Sequence, residues 1–194
     1  MKKFLFKLFA PFANEVWWPN WSNFRWRKAI KECPVDEEHL AKNLTQVKAL
    51  VKELYKKFKW VADDATDLGD SITPPAQCYF DFLGGLLEDD CDGFHSLVYH
   101  CLQASGMRCY LMSVVSDDGG HCVLAFENKG KWHVNDYNKV YDGYESLKEA
   151  VEAYNIEFIK RYCKEGSEVV YNGFIEYKDG KFRSVKHELK ELLK

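Results

Sequence analysis

From Asp36 to Trp60 apolar side chains return every three or four positions: Leu40, Leu44, Val47, Leu50, Val51, Leu54, Tyr55 and Phe58, with lysines on the opposite face. That spacing predicts one long amphipathic helix. The polar stretch "VADDATDLGDSITPP" that follows predicts a loop ending in a Pro pair, and Ala76–Leu83 a short helix stopped by Gly84-Gly85. In "LEDDCDGFHSLVYHCLQASG" the stripe is Phe94, Leu97, Val98, Cys101 and Leu102. Asp89 or Asp90 stands where the cap belongs and Gly106 where a C′ glycine ends a helix. The period then changes. "RCYLMSVVS" and "HCVLAFE" predict strands joined at Asp117-Asp118-Gly119-Gly120, and "KWHVNDY" a third strand after Asn128-Lys129-Gly130. "GYESLKEAVEAYN" returns to helix with a cap near Ser146, and "VVYNGFIEYKDGKFRSV" contains a hairpin around Lys178-Asp179-Gly180. There are no repeats. The expectation is an α+β fold, helices first and then an antiparallel sheet.

Charge and composition divide the chain. Residues 1–30 carry Lys2, Lys3, Lys7, Arg25, Arg27 and Lys28 against Glu15 alone, while the whole chain stands at −3. The same residues hold Phe4, Phe6, Phe9, Phe12, Trp17, Trp18, Trp21, Phe24 and Trp26. Basic residues among aromatics suit contact with a membrane surface, a nucleic acid or a partner protein. The alternative is an N-terminal arm packed across the domain. The expected division is an arm, 1–30, and a domain, 31–194. A net negative chain argues against nucleic-acid binding by the whole protein. Lys2 and Lys3 ahead of an apolar run resemble a secretory leader, but Lys7 interrupts the run and no small-x-small cleavage site follows. No stretch reaches the ~20 apolar residues of a membrane span. Seven cysteines with irregular spacing and no CxxC form no disulfide framework, and several fall at apolar positions. A reducing, cytoplasmic setting is expected.

The distribution of chemistry now matters. Cys91 falls at the first or second position of its helix, near unpaired N–H groups and the positive end of the helix dipole, a setting that favours thiolate. A nucleophilic cysteine needs a base, and the base an orienting partner. Of six histidines, His39 and His187 lie on charged stretches and read as solvated, His95 sits one turn beyond Cys91, and His100 faces the polar side of that helix. His121 and His133 lie on neighbouring strands. If those strands pair through a two-residue or a four-residue loop, His121 and Asp136 share a sheet face, opposite or diagonal, and His133 faces the other way.

Cys at a helix start, His at one strand start and Asp at the end of the next, within "VADDATDLGDSITPP", "EDDCDGFHSLVYHCLQASGMRCYLMSV", "GGHCVLAF" and "WHVNDY", resemble the transglutaminase-like branch of the papain-type fold. The bacterial transglutaminase-like cysteine peptidases are the relevant members, and the resemblance covers about residues 60–142. It implies a papain/transglutaminase-like core, with Cys91 as nucleophile, His121 as general base and then acid, and Asp136 as the orienting acid. The family places its cysteine in a Gly-Asp-Cys-acid-Asp-aromatic motif. Here Asp89 stands at the glycine and Gly93 at the second acid, and His95 replaces a small residue.

An oxyanion would be held by the Cys91 backbone N–H and by a second donor, for which Gln77 is the candidate and Trp60 the alternative. The expected activity is a cysteine peptidase or amidase working through a thioester on a peptide or protein amide, with no cofactor and no metal. Transamidation shares every step up to deacylation. A non-catalytic binding module on the same scaffold is the rival class, and a zinc site from Cys91, His95 and His121 a third.

Overall fold

The computed structural model describes residues 9–61 and 71–193. Most of the polar loop expected at 61–75 lies outside the described residues. An α-helical segment from Phe9 passes through a π-helical stretch, Ala13–Trp17, into α1 (Trp18–Arg25). α2 spans Leu44–Lys57, β1 Lys59–Trp60, α3 Pro75–Leu83, β2 Glu88–Asp89 and α4 Cys91–Ala104. β3 (Arg108–Ser116), β4 (Gly120–Asn128), β5 (Lys131–Asp136), β6 (Lys139–Tyr144), β7 (Val169–Lys178) and β8 (Lys181–Ser184) form one sheet, with α5 (Leu147–Tyr162) crossing between β6 and β7. The order across the sheet is β6-β5-β4-β3-β7-β8, every neighbouring pair antiparallel.

The helix expected over Asp36–Trp60 is shorter at both ends. The Asn43 side chain accepts from the Gln46 N–H at 3.0 Å and starts α2 there, while Glu37–His39 forms a separate 3₁₀ turn. At the other end Lys59 and Trp60 exchange helix for strand, pairing in parallel with Glu88 and Asp89. Val47, Leu50, Val51 and Leu54 are buried, as the stripe requires.

The sheet is covered on both faces. Against α2, α3 and α4 it turns Cys109, Leu111, Cys122, Leu124, Phe126, Ile175 and Tyr177. Against α5 it turns Met112, Val114, Val123, Ala125, Trp132, Val134 and Phe174. α5 covers the second face, burying Leu147, Ala150, Val151, Tyr154 and Phe158 against it. β6 was not anticipated: its residues are mostly exposed or half-buried, so the period-2 signal is faint.

Turn chemistry fixes the register. Lys129 and Gly130, with φ of 53° and 75°, make a two-residue loop that sets Asn128 opposite Lys131 and Leu124 opposite Asn135. His121 and Asp136 then lie diagonally on one face.

Candidate active site

α4 opens on a chain of carboxylate bonds. Asp90 caps it, its side chain accepting from the Asp92 N–H at 3.1 Å, and Cys91 is the first helical residue. Asp89 accepts from the Asp90 N–H at 2.8 Å and from the Thr73 hydroxyl at 2.9 Å, and Asp92 accepts from the Thr73 N–H at 3.3 Å. The Asp89 carboxylate lies directly against Gly93: a Cβ there would sit 2.2 Å from its carboxyl carbon. The Asp89 carboxyl thus occupies the space that a side chain at 93 would take.

The Cys91 thiol meets β4, where the Cys122 N–H donates to Sγ at 3.3 Å. The residue before Cys122 is His121, whose Nε2 lies 3.0 Å from Asp136 Oδ1. No hydrogen bond among the described residues takes up His121 Nδ1. Asp136 is fully buried, and it also accepts from Arg161 Nη1 at 2.7 Å and from the Tyr162 hydroxyl at 3.0 Å. Tyr162 and Phe158 pack on the His121 ring, with centroids 4.8 and 6.3 Å away.

Electrostatics at the thiol differ from the expectation. Burial first, then Cys122, Asp90 and Asp92, push Cys91 well above the ordinary thiol value, against the Cys122 N–H that lowers it. A helix N-terminus offers about half an elementary charge, and burial, with Cys122 and two flanking carboxylates, acts against it. The resting group is therefore a thiol, and an ionised state needs a base. At Asp136, burial acts to raise the carboxyl. The hydrogen bond and charge of His121, with His95 and Arg161, overcome it and hold the group below its ordinary value.

His95 is fully buried and spends both ring nitrogens on backbone, Nδ1 on the Cys91 carbonyl at 2.5 Å and Nε2 on the Tyr137 N–H at 3.1 Å. Nδ1 is thus the protonated nitrogen, and burial, then His121, lower the ring's pKa to about 4. With neither nitrogen left over, His95 is not available to the zinc set. Tight acidic trios do occur among the described residues at Asp90, Cys91 and Asp92 and at Asp36, Glu38 and His39, with ligand atoms within 4.8 Å. The first is already committed to the helix cap and to Thr73.

Tyr137, Arg161 and Tyr162 escaped the sequence reading. Tyr137, in a left-handed conformation at φ 50°, packs on Phe94, His95 and His121. Its hydroxyl accepts from Trp60 Nε1 at 3.1 Å. Trp60 itself is anchored beside the cap, since it pairs with Asp89 and the Val61 N–H donates to the Asp89 carbonyl. Arg161 and Tyr162 lie beyond Asn155, where the helix had been expected to stop. An aromatic directly after Asp136, and a continued helical period to Tyr162, were the available signals.

Gln77 is held apart. Its Oε1 accepts from the Ile30 N–H at 3.0 Å and its Nε2 donates to Asp81 at 2.9 and 3.0 Å, so both ends of its amide are engaged outside this group. His133 lies buried on the opposite sheet face, stacked on Phe126 with Nδ1 accepting from the Gly143 N–H. His39, expected in solvent, is buried against the Tyr79 hydroxyl at 2.9 Å.

No protein-family model matches the chain, and no curated protein does. Among solved structures, one called "a Putative Cysteine Protease from Cytophaga hutchinsonii" aligns with a TM-score of 0.38 and 8% identity. The alignment covers 83% of this chain and 62% of that one. A likeness this distant carries no weight for fold or function. No helix among the described residues is long and apolar enough to cross a membrane.

Proposed function

We propose that the chain is a cysteine hydrolase of peptide or protein amides, with Cys91 as nucleophile, His121 as general base and acid, and Asp136 as the group that orients His121. One observation carries this reading. A thiol at a helix start is bonded to the residue next to a histidine whose far nitrogen is pinned, at 3.0 Å, to a fully buried carboxylate. Pinning Nε2 leaves Nδ1 for proton transfer.

In the first step the Sγ proton passes to His121 Nδ1 and sulfur bonds the amide carbon, its π electrons moving to oxygen. The Cys91 N–H, unmatched within its helix, suits that oxyanion. For a second donor Trp60 Nε1 would have to leave the Tyr137 hydroxyl and Gln77 Nε2 would have to leave Asp81; the Trp60 backbone pairs with Asp89, beside the helix cap, which favours Trp60. The intermediate collapses, the carbon–nitrogen bond breaks, and the Nδ1 proton goes to the leaving amine. Water then gives a proton to His121 and its oxygen to the thioester carbon, releasing the acid and restoring the thiol. The resemblance to transglutaminase-like peptidases supports the same assignment.

Timed labelling of the native protein with iodoacetamide, with peptide mapping, tests the nucleophile. Cys91 is expected to react first of the seven thiols. His121→Ala should lower its rate by orders of magnitude. His133→Ala should change it by less than about tenfold, roughly 1.4 kcal/mol, and Asp136→Asn should fall between. Labelling of Cys33 or Cys163 as fast as Cys91 would sink the assignment. Reactive Cys91 with amine incorporation into a glutamine peptide, and no cleavage, would mean transamidation.

A further inference from the structure

The segment from Phe9 to Arg25 has two unlike sides. Its inner side is tied to the domain. Ala10, Asn14, Pro19 and Ser22 are buried. Asn23 and Phe182 exchange two hydrogen bonds of 2.9 and 2.8 Å, and the Ser22 hydroxyl accepts from the Ile72 N–H at 3.0 Å. Glu15, the one acid among the first thirty residues, turns inward to the Tyr171 hydroxyl at 2.6 Å.

The outer side is apolar. Phe9, Phe12, Trp17 and Phe24 each expose more than half of their surface, and Val16 nearly half. Trp17, Trp21 and Phe24 stack in a row with centroids 6.1 and 5.8 Å apart, and the Arg27 guanidinium lies 5.0 Å over Phe24. Exposed Arg25, Arg27 and Lys28 follow at one end, and Lys2, Lys3 and Lys7 precede the segment in sequence. A contiguous aromatic face of this kind marks an interaction surface.

We propose that this face seats the protein on an anionic lipid surface. Charge decides the occupant. With its acid turned inward, the face meets headgroups as aromatics with cations at one end, the pattern of a helix lying in the membrane interface. The chain as a whole is negative, so an anionic surface attracts this side and repels the remainder. The firm inner bonds hold the aromatics out when no membrane is present, so docking needs no unfolding.

The test is sedimentation of the full chain with phosphatidylcholine vesicles and with vesicles also containing phosphatidylglycerol, at low and high salt. The wild type is expected to sediment with the anionic vesicles, and high salt should weaken it by about tenfold or more. Combined Phe12→Ser, Trp17→Ser and Phe24→Ser should abolish that binding while leaving Cys91 labelling unchanged. Arg27→Glu with Lys28→Glu, a second variant that spares the aromatics, should weaken binding to the anionic vesicles. Absence of wild-type sedimentation would overturn the proposal, as would equal binding by both variants. So would a concentration-dependent dimer that the triple variant abolishes with no vesicle binding, since the face would then seat a second copy.

Discussion

Gly93 sits within the first turn of α4, where alanine would ordinarily be favoured by about 1 kcal/mol. Its contact reverses that sign. A methyl group there meets the Asp89 carboxyl carbon at 2.2 Å, and Asp89 is held by the Asp90 N–H and the Thr73 hydroxyl. Gly93→Ala is therefore expected to destabilise the protein by about 1–3 kcal/mol. Adding Asp89→Gly should recover most of the loss, because the two positions share one space. Urea midpoints of the two singles and the double measure the coupling, and additive losses would refute the contact. Next to this pair, burial first and then Cys122, Asp90 and Asp92 raise the Cys91 thiol. Capping α4 with Asp90 puts an anion within reach of the sulfur whatever the dipole offers.

At the scale of elements, α5 matters more to the candidate site than its distance along the chain suggests. Its last turn lays Arg161 and Tyr162 on Asp136, and Arg161 Nη1 also meets the Tyr141 hydroxyl at 2.8 Å. Arg161 thus offsets the buried carboxylate charge behind His121. Removing that cation leaves Asp136 to hold a proton on the imidazole more strongly and makes the thiolate less favourable. Arg161→Met should accordingly move the pH profile of Cys91 labelling toward higher pH, by up to about one unit. A lower plateau with an unmoved profile would show Arg161 to be a packing residue only. Arg161→Lys, which keeps a cation, should restore most of the profile.

Across the whole molecule, three layers leave histidines deep between them. His95 is fully buried beneath Cys91 with its pKa lowered to about 4, burial being the first cause. Burial lowers His100 and His133 as well. Each ring binds a proton more readily in the unfolded chain. Stability is therefore complete above the ordinary value of 6.5 and is lost as pH falls from there toward 4. His95 alone contributes a loss of about 3 kcal/mol over that window. Asp136, held below its ordinary value of 3.8, adds its loss only at lower pH. Thermal midpoints measured from neutral pH down through this window should fall steadily, and His95→Asn should flatten the slope. A wild-type midpoint independent of pH there would refute the neutral buried ring.

Much of this was written locally. Period and punctuation are properties of neighbouring residues, so the α4 stripe, its Asp90 cap, the β3 bounds and both glycine hairpins could be read directly. Loop length is local too. A two-residue turn at Lys129-Gly130 forces His121 and Asp136 onto one sheet face, and the pair could be named before any coordinates. Tertiary structure decided what depends on partners remote in sequence. The long apolar stripe ended early at its C-terminal end because Lys59 and Trp60 found Glu88 and Asp89 to pair with. β6 exists because β5 offers it an edge, and α5 crosses to a face no periodicity assigns. Sequence put Gln77 ahead of Trp60 as the second donor, and the fold turned one toward Ile30 and Asp81 and the other toward Tyr137. Charge at Cys91 likewise followed from what surrounds the thiol in space, because desolvation and Coulomb energy depend on distance and not on sequence separation.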